Sequence, residues 1–279
     1  MAEQVVCASC GAAFESPFCP ACGERRLDHH DLSLRHFVAH SLHDVTHFDT
    51  KIFRSLKVLV SEPGRLTADY VDGRRVGWLS PVQLFVMVNV IFFFVAPKLG
   101  LFRFGYDYFA GNEHVLLRVA TKPALDAARG GRDVPEFRTE FDHAIDHPKR
   151  LLIFIMVALF AVLLAALLYR RKRYFVEHVV FALHYYAFWM IASIAVPAVL
   201  VVIGTIMHVA GGGGLRFGDP LLIPLTIASS MTYLYFAIRR FYGASKTMSA
   251  VHATTLSFAM IAIFLVYRGL LFLLALRLV

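Results

Sequence analysis

Five long runs of apolar residues, at about 78–97, 151–169, 180–207, 220–238 and 250–276, interrupt a chain otherwise dense in charge and glycine. A membrane crossing needs about 20 apolar residues at about 1.5 Å of rise each. Every run is therefore long enough to span, and the third and fifth must tilt or bend. Pro197 offers a kink in the third run and Pro224 one near the start of the fourth. Arg268 is the one charged side chain that interrupts the fifth. No internal repeat relates the runs, which weakens a transporter built from paired inverted halves. The pattern predicts an all-α polytopic membrane protein of about five transmembrane helices, with an outer loop over 98–150.

Ahead of the first run, residues 31–60 repeat with helical period. Leu34, Val38, Val45, Phe48, Ile52, Leu56 and Leu59 fall on one side. His36, His40, His43 and His47 form a stripe on the other, which Arg54 continues with Lys51 and Lys57 at its flanks. A helix with an apolar and a neutral-to-basic face, directly before a span, reads as an interfacial helix on the inner membrane surface. Histidines three and four apart can share an ion, so the stripe is a candidate second metal site. A polar side titrating near neutrality explains it as well. Pro63 and Gly64 end this helix, and a charged connector follows to residue 75, where Arg65, Arg74 and Arg75 are candidates for holding lipid phosphate. Residues 31–75 thus form one amphipathic and basic region before the membrane domain at 76–279.

All four cysteines lie in the first 22 residues, as Cys7-Ala-Ser-Cys10-Gly11 and Cys19-Pro-Ala-Cys22-Gly23. Two cysteines three apart can turn both thiolates onto one ion, and a glycine after each pair supplies the positive φ such a knuckle needs. Two knuckles give four soft ligands in tetrahedral geometry, which suits structural Zn²⁺ with no open coordination position. Residues 1–26 are therefore expected to be a zinc ribbon folded largely by its metal. Free thiolates favour a reducing compartment, which places this end in the cytoplasm.

Composition sharpens the class. The chain is 58% hydrophobic and 17% charged, with mean hydropathy +0.60, against about a quarter charged in soluble domains. The formal charge of +8 is concentrated at the ends of the apolar runs. That placement points to orientation and anionic headgroups rather than to nucleic acid. The basic loops at 169–173 and 239–246 are expected inside, leaving the N-terminus cytoplasmic and the C-terminus periplasmic in a bacterial inner membrane. Lys149 and Arg150, beside the second span on the outer side, run against this assignment. The first 30 residues contain no apolar segment of the signal-peptide kind, so the first span is expected to direct insertion.

Chemistry, if there is any, lies with polar groups inside the bilayer, which are expensive there and usually functional. Glu177 and His184, seven apart, share a face of the third span, and His178 and Tyr185 share the neighbouring one. His252 starts the fifth span on the same expected side. Glu177, His178, His184 and Arg268 are the candidate catalytic residues.

The double Cys-x2-Cys-Gly start, the segment from Pro63-Gly64 through Tyr70-Val71-Asp72-Gly73-Arg74-Arg75 to Ser80-Pro81, and Glu177-His178 followed by Phe181-Ala182-Leu183-His184 together resemble a bacterial inner-membrane family. It is the domain-of-unknown-function family numbered 3667. The resemblance maps the family's recurrent positions to Pro63, Gly64, Tyr70, Gly73, Arg74, Pro81, Glu177, His178 and His184. It implies a zinc-ribbon, multi-spanning protein and carries no activity. The leading reading is a membrane scaffold whose ribbon and interfacial helix engage a protein partner or anionic lipid. The alternative is a lipid-directed enzyme or small-solute carrier built on the glutamate–histidine cluster.

Overall fold

The computed structural model describes residues 4–26, 49–99, 101–102, 104–111, 115–146, 148–169, 174–209 and 219–279. His36, His40, His43 and His47 lie outside these residues.

At the N-terminus, strands β1 (Val5–Val6) and β2 (Ala13–Phe14) pair antiparallel, Val5 opposite Phe14 and Val6 opposite Ala13. Helices follow: α1 (Asp49–Ser61), α2 (Arg65–Val71), α3 (Pro81–Val95), α4 (Tyr106–Ala110), α5 (Val115–Arg129), α6 (Val134–Asp146), α7 (Pro148–Leu151), α8 (Ile153–Leu168), α9 (Phe175–Val209), α10 (Asp219–Tyr242) and α11 (Lys246–Leu278). Among the described residues, four stretches are long and apolar enough to cross a membrane: Pro81–Leu99, Val134–Leu168, Phe175–Val209 and Lys246–Leu278. Their side chains at Val90, Phe94, Val162, Val201, Phe258 and Leu265 are exposed. So much apolar surface has no place in water and is the lipid-facing side of a multi-pass membrane protein.

The apolar run at 220–238 falls within α10, a 24-residue helix that is not among the four. Helices α9 and α10 run on through Pro197 and Pro224.

The chain divides into two compact units, residues up to Phe92 with Phe160–Phe258, and Phe93–Leu159 with Ala259–Val279. In the first, α2 packs on α1, α9 and α10, and α9 packs on α10. Gly64 makes this close approach possible. It has φ +81°, and a Cβ there would lie 2.8 Å from the Ala237 carbonyl oxygen. The core of this unit is aromatic: Tyr185 stacks on Phe160 at 4.7 Å between ring centroids, and Phe188 on Tyr233 at 3.9 Å.

In the second unit, the stretch expected as an outer loop is largely helical. Phe109, Leu125, Phe137, Phe141 and Ile145 are fully buried. The rings of Phe109, Phe137 and Phe141 meet one another, Tyr106 and Phe272 of α11 edge-on or tilted. The Tyr267 hydroxyl donates to the Lys149 carbonyl at 2.9 Å.

Candidate metal centre and connector site

The four cysteines are built by two equivalent knuckles. The Gly11 N–H donates to the Cys7 carbonyl at 2.9 Å, and the Gly23 N–H to the Cys19 carbonyl at 2.8 Å. Both glycines sit at φ +76°, the left-handed conformation that the spacing predicted. The Cys7 N–H returns to the Ala12 carbonyl and the Cys19 N–H to the Glu24 carbonyl, so each knuckle is closed from both sides.

The Cys7 and Cys22 sulfurs are 3.5 Å apart, as are those of Cys10 and Cys19, and all four lie within 4.8 Å of one another. Tetrahedral bonds of about 2.3 Å to zinc put sulfurs about 3.8 Å apart, whereas a disulfide needs about 2.05 Å. The cysteines are free thiols arranged for one ion rather than bridges. The backbone N–H of Cys10 draws the Cys7 thiol down to about 7, while Cys22, despite the Glu24 backbone N–H, is pushed up to about 12 by desolvation and the neighbouring sulfurs. Among the described residues this is the one cluster of side chains spaced to hold a metal.

Glu24, to which nothing in the sequence drew attention, ties this centre to the rest of the chain. It is 4% exposed. Its Oε2 accepts from the Ser9 hydroxyl at 2.5 Å, the Arg75 N–H at 2.8 Å and the Val76 N–H at 3.0 Å. One carboxylate oxygen thus joins the first knuckle to the backbone just ahead of the first span.

The connector is a dense polar assembly. Asp69, on α2 and mostly buried, takes the Nε and Nη2 protons of Arg74 at 2.9 and 2.7 Å, with Arg65 at 3.5 Å from its other oxygen. The carboxylate raises the Arg74 pKa and keeps that guanidinium charged. Arg75 donates to the Tyr70 carbonyl and lies 4.4 Å over the Tyr70 ring. Arg54 and Arg65 both face Trp78, at 4.7 and 5.6 Å. The fully buried Ser55 hydroxyl accepts the Leu79 N–H at 3.0 Å.

The histidines of α9 sit at the edge of this assembly. His184 Nδ1 is 2.9 Å from the Thr67 hydroxyl, both side chains buried. His178 Nδ1 is 2.8 Å from the Tyr242 hydroxyl, with the rings stacked. Glu177 is buried on the same turn. Each histidine therefore gives one ring nitrogen to a hydroxyl, and His184 finds its partner on α2. Arg268 belongs to the other unit, where its guanidinium lies 4.6 Å over the Tyr108 ring.

A family model described as "Protein of unknown function (DUF3667)" matches residues 49–93. The chain is similar to that family over α1, α2, the connector and most of α3, which is the assembly just described. Pro63, Gly64, Tyr70, Gly73, Arg74 and Pro81 fall inside the matched window, and the ribbon and α9 outside it. No curated protein and no solved structure matches the chain.

Proposed function

We propose that the protein is a five-span bacterial inner-membrane scaffold whose cytoplasmic ribbon holds structural zinc and, with the connector, presents a surface to anionic lipid or a protein partner. The observation that carries this reading is the Glu24 carboxylate, which links the knuckles to Arg75 and Val76 at the membrane entry. A closed four-thiolate site supplies folding energy rather than an open coordination position. The hydroxyl partners of His178 and His184 support a structural part for both.

The proposed orientation rests on the basic loops at 169–173 and 239–246. Lys149 and Arg150 count against it, although Lys149 has a side chain only 14% exposed and paired with Asp146, and Arg150 lies over the Phe94 ring at 5.8 Å.

Elemental analysis of the purified, detergent-solubilised chain tests the reading, beside a variant with Cys7, Cys10, Cys19 and Cys22 all replaced by serine. One zinc per chain, absent from the variant, is the expected result. Metal that survives in the variant would mean that histidines hold it, and would overturn the scaffold in favour of an enzyme or carrier using Glu177, His178, His184 and Arg268. His184→Gln is the companion: the scaffold predicts unchanged membrane abundance and unchanged phenotype in complementation of a deletion strain.

A further inference from the structure

The outward face of α1 mixes bulky apolar side chains with cations. The helix buries Ser55, Val58 and Leu59, and turns outward Phe53, Lys57 and Val60, three positions spaced i, i+4 and i+7 on one face, with Arg54 beside them. Phe53 is 78% exposed and Val60 48%. A face that alternates bulky apolar side chains with cations suits neither bulk water nor the hydrocarbon interior. It suits the boundary between headgroups and acyl chains, where the rings sink and the cations stay with phosphate.

The depth of α1 is fixed independently of that pattern. Ser55 holds the Leu79 N–H, and the Arg54 guanidinium lies on the Trp78 ring. Both partners lie within three residues of Pro81, where the first apolar span begins. The middle of α1 is thereby pinned at the level where the chain enters the bilayer, beside an interfacial tryptophan.

Charge selects the lipid. Arg65 also faces Trp78, but Glu62 holds it at 2.7 Å and Asp69 at 3.5 Å. Arg54 and Lys57 are exposed and meet no carboxylate among the described residues. They are exposed cations of this face, placed to meet an external anion.

We propose that the Phe53–Arg54–Lys57–Val60 face of α1 is a docking surface for anionic phospholipid, with the two cations taking headgroup phosphate and the two apolar side chains entering the acyl boundary. This rests on the scaffold reading and names the ligand of its connector.

The test uses the full chain in neutral detergent, titrated with phosphatidylglycerol or phosphatidylcholine and read by native mass spectrometry for lipid retained. Each cation near an anionic surface contributes roughly fivefold in affinity. Arg54→Gln with Lys57→Gln is therefore expected to weaken phosphatidylglycerol retention about 25-fold and leave phosphatidylcholine unchanged. Phe53→Ser should weaken both lipids. Lys57→Glu alone, at an exposed position away from Trp78, guards against misfolding of the double variant and should cost more than Lys57→Gln. Equal retention of phosphatidylglycerol by wild type and both charge variants overturns the proposal. So does full displacement by glycerol 3-phosphate, which would make this a soluble-phosphate site. Loss of a co-purifying protein with lipid retention intact would overturn it in favour of a protein interface. Zinc content on the same samples keeps the two readings separate: failed lipid selectivity with one zinc per chain sinks only the docking surface, and metal that survives cysteine replacement sinks the scaffold itself.

Discussion

The connector from Glu62 to Ser80 and the segment from Phe102 to Arg150 are both charged stretches between apolar helices, and they hold themselves together in opposite ways. The connector is organised by directional contacts. Arg74 is fixed by Asp69, Arg75 by the Tyr70 carbonyl and ring, Leu79 by Ser55, and the backbone at 75–76 by Glu24. The longer segment is organised by a ring cluster. Two of its ion pairs, Arg132 with Glu140 and Arg138 with Asp107, lie toward the surface, while Phe109, Phe137 and Phe141 are fully buried. Exposed ion pairs contribute little, so apolar burial does most of the work there. Directional contacts fix position and tolerate little change in shape or donor pattern. Ring packing fixes volume and tolerates isosteric change.

Substitutions at three positions separate these modes, and unfolding midpoints of purified variants in detergent read them all. The largest effect is expected at Phe141→Ala, which empties a fully buried ring site and should cost about 3–5 kcal/mol. Phe141→Leu should recover most of that loss if packing rather than geometry is what matters there. Gly64→Ala should cost about 2–3 kcal/mol, because the added Cβ meets the α10 backbone and the residue is held at positive φ. Thr67→Val keeps the volume and removes the hydroxyl, leaving His184 Nδ1 without that partner at a cost of about 1–3 kcal/mol. A valine variant as stable as wild type would place Thr67 with the tolerant ring-packed sites and undo the contrast.

The sequence exposed what local pattern encodes. Paired Cys-x2-Cys-Gly knuckles carry their own geometry, and the structure has Gly11 and Gly23 at the expected positive φ and four thiols around one point. Apolar runs likewise encode helices, because a spanning segment must satisfy its own backbone. What stayed hidden is what depends on distant partners. Helix α2 occupies a stretch that read as a charged, glycine-rich connector. It buries Leu66, Thr67 and Asp69 against α9 and α10, and those partners are more than a hundred residues away in the chain. Glu24 and Ser55 are short-range ordinary residues whose importance exists only through Arg75, Val76 and Leu79. Asp142 accepts the Tyr106 N–H at 2.7 Å and Asp146 pairs with Lys149, so both acids serve the local fold.

The Glu24 carboxylate has a thermodynamic consequence. Because one oxygen is shared between a knuckle and the backbone at Arg75–Val76, ordering the ribbon and ordering the membrane entry are linked equilibria, and linkage is reciprocal. A lipid or partner that binds the ordered entry is expected to raise the affinity of the thiolates for a metal ion by the factor by which that ion raises the entry's affinity for it. A ribbon peptide cut free of the connector is expected to hold a metal ion more weakly than the whole chain, and the difference in affinity would measure how firmly the ribbon is fastened to the connector.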